Sequence, residues 1–75
     1  MNDFIFDEFL SMPIEAQLLY FHLRADAINN GSDRSHKPKA FCKLLGFGMD
    51  MLDVLEIRGL VEREGDFVII PELSE

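Results

Sequence analysis

The helix predicted over Pro13 to Asn29 constrains this chain more than any other stretch, because it is apolar on two sides. On a wheel of about 100° per residue, Ile14, Leu18, Phe21, Ala25 and Ile28 share one face. Ala16, Leu19, Tyr20, Leu23 and Ala27 share a second, and polar ribbons separate the two. Such a helix is the central pillar of its domain, buried on both sides. Ser11-Met12-Pro13 opens it, since proline suits a first turn and Glu15 lies near the positive end of the helix dipole. Asn29-Asn30-Gly31-Ser32 closes it. A chain of 75 residues makes one domain with one modest core. Something further is therefore expected over one face, either the apolar N-terminal segment 1–12 or a second copy in a homodimer.

The remaining pattern supplies the elements that pack on this pillar. In segment 1–12, Phe4 and Phe6 alternate before the pattern shifts at Phe9 and Leu10, which fits a short strand or a helical turn. A second helix is predicted over Pro38 to Leu45, with Ala40, Phe41, Leu44 and Leu45 inward and Lys39 and Lys43 outward, ended by Gly46. A third spans Met49 to Arg58, with Met51, Leu52, Val54 and Leu55 inward, and Gly59 closes it. Leu60 to Arg63 and Phe67 to Ile70 read as two short strands about the turn Glu64-Gly65-Asp66, and Pro71 stops the second. The expected fold is thus α+β, a small winged helix-turn-helix: a helical part over residues 13–58 and a hairpin wing over 60–70.

Chemistry is sparse. Cys42, the single cysteine, fits a reducing compartment, and with no signal-peptide pattern and no apolar run of about 20 residues the chain is expected in the cytoplasm, off the membrane. His22 and His36 stand at no metal-ligand spacing with Cys42 or each other. Asp50, Asp53 and Glu56 fit a solvated helix face better than a metal site. No catalytic, metal or cofactor site is expected; a Cys-His pair has no orienting third group or oxyanion motif beside it.

Charge is distributed unevenly. Fourteen acids against seven bases give a net −7, so net charge alone repels nucleic acid. Yet Arg34, Lys37, Lys39 and Lys43 fall within ten residues, and with Arg63 on the wing they are candidate phosphate contacts. The outward side of the third helix, where a winged helix normally reads the major groove, carries Met49, Asp50, Asp53, Glu56 and Ile57 and no cation. Carboxylates are repelled by a phosphate-lined groove, so that side is expected either to be plain solvated surface or to meet a basic protein around a small apolar anchor.

The run Met12-Pro13-Ile14-Glu15-Ala16-Gln17-Leu18-Leu19-Tyr20-Phe21-His22-Leu23 resembles the N-terminal winged-helix domain of phage replisome organisers, related to the DnaD-type primosomal proteins of Gram-positive bacteria. Arg24-Ala25-Asp26, Lys37-Pro38-Lys39, Leu45-Gly46 and Gly59-Leu60-Val61 continue the similarity along nearly the whole chain. The resemblance implies a module for initiating DNA replication on a phage or mobile element, through DNA and protein contacts. The alternative is a small acidic phage protein that binds and inhibits a basic, nucleic-acid-binding host protein.

Overall fold

In a computed structural model, the described residues are 9–46 and 48–74. Expectations for Phe4 and Phe6 lie outside them; Phe9 and Leu10 are helical. The first long helix, α1, spans Ile14–Asn29 with Pro13 just before it. It ends in a Schellman motif: Gly31 at φ 68° lets the Ser32 N–H reach the Ala27 carbonyl at 3.0 Å and its own N–H reach Ile28 at 2.9 Å.

A two-residue strand, β1 (Arg34–Ser35), follows α1; the helix α2 (Pro38–Leu45) and the helix α3 (Asp50–Ile57) come next. Gly59 (φ 77°) closes α3 with a second Schellman motif, in which Leu60 donates to Leu55 at 2.9 Å. The wing is β2 (Glu62–Glu64) and β3 (Phe67–Ile69), and a 3₁₀ turn over Pro71–Leu73 ends the described chain. The hairpin pairs Glu64 with Phe67, so only Gly65-Asp66 bridges the strands. Gly65 alone takes positive φ, as a type II′ turn requires of its first central residue.

The sheet is antiparallel in the order β1-β3-β2. Arg34 and Ser35 sit opposite Ile69 and Val68, and Ile70 extends that ladder by donating to the Asp33 carbonyl at 2.7 Å. β1 was not expected from the sequence. It is the piece that ties the wing back to the helices, between α1 and α2 in the chain.

Only one face of α1 is buried. Ala16, Leu19, Tyr20, Leu23 and Ala27 are 0–1% exposed and meet Leu52 and Leu55 of α3, Cys42 of α2 and Val61, Val68 and Ile70 of the wing region. Ile14, Leu18, Phe21 and Ile28 are 43–65% exposed, so the doubly buried pillar is corrected to a singly buried one. The inward face of α2 is corrected as well. Pro38 and Cys42 are buried and Phe41 and Leu45 half-buried, while Ala40 and Leu44 face water. On α3 the expected inward residues face the core, Leu52 and Leu55 fully and Met51 and Val54 in part.

Candidate nucleic-acid interface

The surface between the start of α2, the start of α3 and the wing is built from a buried polar contact. Ser35 is fully buried, and its hydroxyl donates to Asp26 of α1 at 2.8 Å while accepting the Lys37 N–H at 3.4 Å. A buried hydroxyl without partners would be costly. Meeting that need fixes the path of residues 35–37 and so places Lys37 at the mouth of α2, where Pro38 takes the first turn.

Lys37 and Lys39 line an open groove of about 570 Å³, with His36, Met49, Arg63 and Phe67 among its other walls. The half-buried Phe67 carries the Arg34 guanidinium 5.1 Å from its ring centre and the His36 ring at 5.1 Å. The cation–π contact holds Arg34 at the edge of the same region. His36, considered in the sequence only as a metal ligand, and Phe67, only as a strand residue, were not expected to meet; the register of β1 with β3 brings them together.

The seven cations differ in whether they are engaged. Arg24 reaches Glu72 at 3.2 Å, Arg34 lies 3.8 Å from Asp33, and Arg58 donates to the Ser11 hydroxyl at 3.3 Å. Arg63 is held by Asp53 at 2.7 Å and Glu56 at 3.6 Å. Lys37, Lys39 and Lys43 have no carboxylate within 4.0 Å among the described residues. Lys39 and Lys43 stand four apart on α2, exposed, a like-charge spacing that weakens a helix slightly when nothing compensates it.

These contacts redraw both candidate sites. Arg63, expected as a phosphate contact, bridges the wing to α3 and neutralises part of the acidic face. Asp53 and Glu56 are correspondingly less available to a partner. Asp50 is exposed with its carboxylate turned back toward Gly48, where an added Cβ would stand 2.6 Å from Oδ1. Met49 is 36% exposed and Ile57 83% exposed, one at each end of α3.

Of the other chemically notable groups, Cys42 is 3% exposed. Burial, with a smaller push from Asp50, raises its pKa against a weaker opposing pull from Arg63, which keeps it a thiol. His22 is half-buried against Phe41, ring centres 5.7 Å apart, and its Nδ1–H donates to the Leu18 carbonyl at 2.8 Å. Among the described residues no group of three His, Cys, Asp or Glu is placed to hold a metal, and no helix is long and apolar enough to cross a membrane.

Among the described residues, the helices α1, α2 and α3, a β-strand between the first two, and an antiparallel wing after the third define an α+β domain of the winged helix-turn-helix class. Compared with models of protein families, with curated proteins and with solved structures, the chain matches none. Its function is therefore inferred from the fold and the disposition of its charges.

Proposed function

We propose that this chain is a cytoplasmic winged-helix module acting in the initiation of DNA replication on a phage or mobile element. It holds duplex DNA by phosphate contacts from Lys37, Lys39 and Lys43, assisted by Arg34. One observation carries the reading: in a chain with twice as many acids as bases, the three lysines without a carboxylate within 4.0 Å among the described residues all belong to α2 and the residue that opens it. Unpaired cations grouped on one helix beside a groove suit a polyanion. Arg63 serves indirectly, by lowering the negative charge of α3 where that helix approaches the phosphates. The replication role rests on the resemblance of residues 12–23.

A second reading is supported by Ile57, the most exposed of the large apolar side chains described. Ile57 at one end of α3 and Met49 beside the exposed Asp50 at the other would flank the acidic face with apolar contacts, suited to inhibiting a basic host protein that binds nucleic acid. Fluorescence anisotropy of a short labelled duplex at low salt separates the two. The DNA reading expects saturable binding that Lys39→Glu with Lys43→Glu abolishes while the circular dichroism spectrum is unchanged. Equal binding by that variant, or none by the parent chain, overturns it.

A further inference from the structure

The water-facing stripe of α1 repeats with a heptad period. Ile14, Leu18, Phe21, Ala25 and Ile28 are spaced four, three, four and three apart, the pattern by which two helices interlock. The stripe runs about 21 Å along the helix at 1.5 Å per residue. Ile14 is 65% exposed, Phe21 54% and Ile28 52%, and Leu10 continues the apolar surface at 53%. Apolar side chains exposed in a row, and not scattered singly, mark an interaction surface. The core takes little of this face: Phe21 packs edge-on against Phe9 at 5.4 Å yet stays 54% exposed, and α1 buries Leu19, Tyr20 and Leu23 on the other side.

We propose that this stripe pairs with the same stripe of a second copy, antiparallel, about a two-fold axis between Leu18 and Phe21. The proposal does not depend on the DNA reading. The charges flanking the stripe select both the occupant and the register. Two copies of a chain carrying −7 repel each other unless the contact itself is poor in acid. The flanks are Glu15, Gln17, His22, Arg24 and Asn29, with one carboxylate among them; Glu72, which lies against Arg24 at 3.2 Å, is balanced by that guanidinium, and the other acid of α1, Asp26, is turned to Ser35.

With the axis so placed, Leu18 faces Phe21 of the second copy and Ile14 faces Ala25, a large residue against a small one. Glu15 then lies near His22 of the second copy and Gln17 near its Arg24, and no like charges meet. Moving the axis to lie between Phe21 and Ala25 sets Arg24 opposite Arg24 and His22 opposite His22. A parallel pair stacks Ala25 on Ala25, leaving a gap, and aligns the helix dipoles unfavourably. A helix pair of this length falls at the small end of interfaces, under about 1,200 Å² in total, so a weak, concentration-dependent dimer is expected.

Sedimentation equilibrium of the full chain, from low micromolar to submillimolar concentration, tests this. The expected mass rises from 8.6 kDa toward twice that value. Leu18→Glu, at a site 43% exposed, is expected to hold the mass at the monomer with its circular dichroism unchanged; Ala25→Glu gives the same readout should that variant misfold. Glu15→Arg is expected to raise the dissociation constant about 2- to 30-fold for two symmetric exposed pairs, and Glu15→Arg with His22→Glu to restore it. A parent chain that stays monomeric throughout overturns the proposal and leaves the stripe to the N-terminal segment or a foreign protein. A dimer indifferent to both glutamate variants places the interface elsewhere. Failure of the double variant to recover overturns the antiparallel register.

Discussion

Tyr20→Phe tests how the end of the chain is fastened to α1. Tyr20 is 1% exposed, and its ring packs edge-on against Phe9 with centres 5.6 Å apart, so phenylalanine keeps the shape and removes only the hydroxyl. That hydroxyl donates to Glu72, whose carboxylate also receives Arg24 at 3.2 and 3.3 Å. A hydrogen bond to a charged acceptor contributes about 1.5–3 kcal/mol. The Glu72 side chain is 37% exposed, and screening by water reduces the expected loss to about 1–2 kcal/mol. A domain of this size has about 4–11 kcal/mol in total at 0.05–0.15 per residue, and each kcal/mol shifts the midpoint by about 4–8 °C, so Tm should fall by about 4–16 °C.

The pH dependence has a defined sign at both ends. Burial pushes the Glu72 carboxyl up, but the hydrogen bonds from Tyr20 and Arg24 and the Arg24 charge outweigh it and hold the group below the usual glutamate range. Its contribution is therefore full above about pH 4.3 and disappears as pH falls through the lower folded value. For Tyr20, burial first and then the hydrogen bond and charge of Glu72 push the phenol up. Its contribution is full below about pH 10 and is lost as pH rises beyond that. Urea unfolding followed by circular dichroism at several pH values measures both. Tyr20→Phe should remove the alkaline slope and Glu72→Gln should flatten the acid one, part of which remains because the hydrogen bond from Ser74 also holds Asp33 below the usual aspartate range. A Tyr20→Phe loss under about 0.5 kcal/mol at neutral pH, the range of an ordinary surface substitution, would refute the reasoning.

Two further outcomes check the packing and the charge assignment. Leu19→Ala, fully buried, should cost about 2.7–5 kcal/mol in urea unfolding, whereas Leu18→Ala, 43% exposed on the next residue, should stay within about 1 kcal/mol in dilute solution. Asp53→Asn with Glu56→Gln releases Arg63 and removes two negative charges, so duplex affinity measured by anisotropy should rise and its salt dependence steepen by about one contact.

Much of the fold was legible because its boundaries are marked by local chemistry. Pro38 and Gly46 delimit α2 over the residues expected, and Gly31 and Gly59 end α1 and α3 with left-handed caps. β1 was illegible for the converse reason: Arg34 and Ser35 are polar and lack alternation, and their strand character comes from pairing with residues 68 and 69, far along the chain. Hydrophobicity misled on α2, where Leu44 is 74% exposed and the smaller Cys42 goes inside. It also could not tell which apolar face of α1 the core would take, since both are competent. The basic cluster was visible as a run in the sequence. That Arg63 belongs to the acidic helix was not, because the pairing crosses from β2 to α3.

Phosphate contacts from Lys37, Lys39 and Lys43 would show themselves in the salt dependence of DNA binding. The most direct measurement is the slope of log Kobs against log salt for duplex binding by the full chain. Contacts from Lys37, Lys39, Lys43 and Arg34 predict a slope of about −3 to −4, at about 0.9 per phosphate neutralised. Absence of binding at the lowest salt, or a slope near zero, would contradict these contacts.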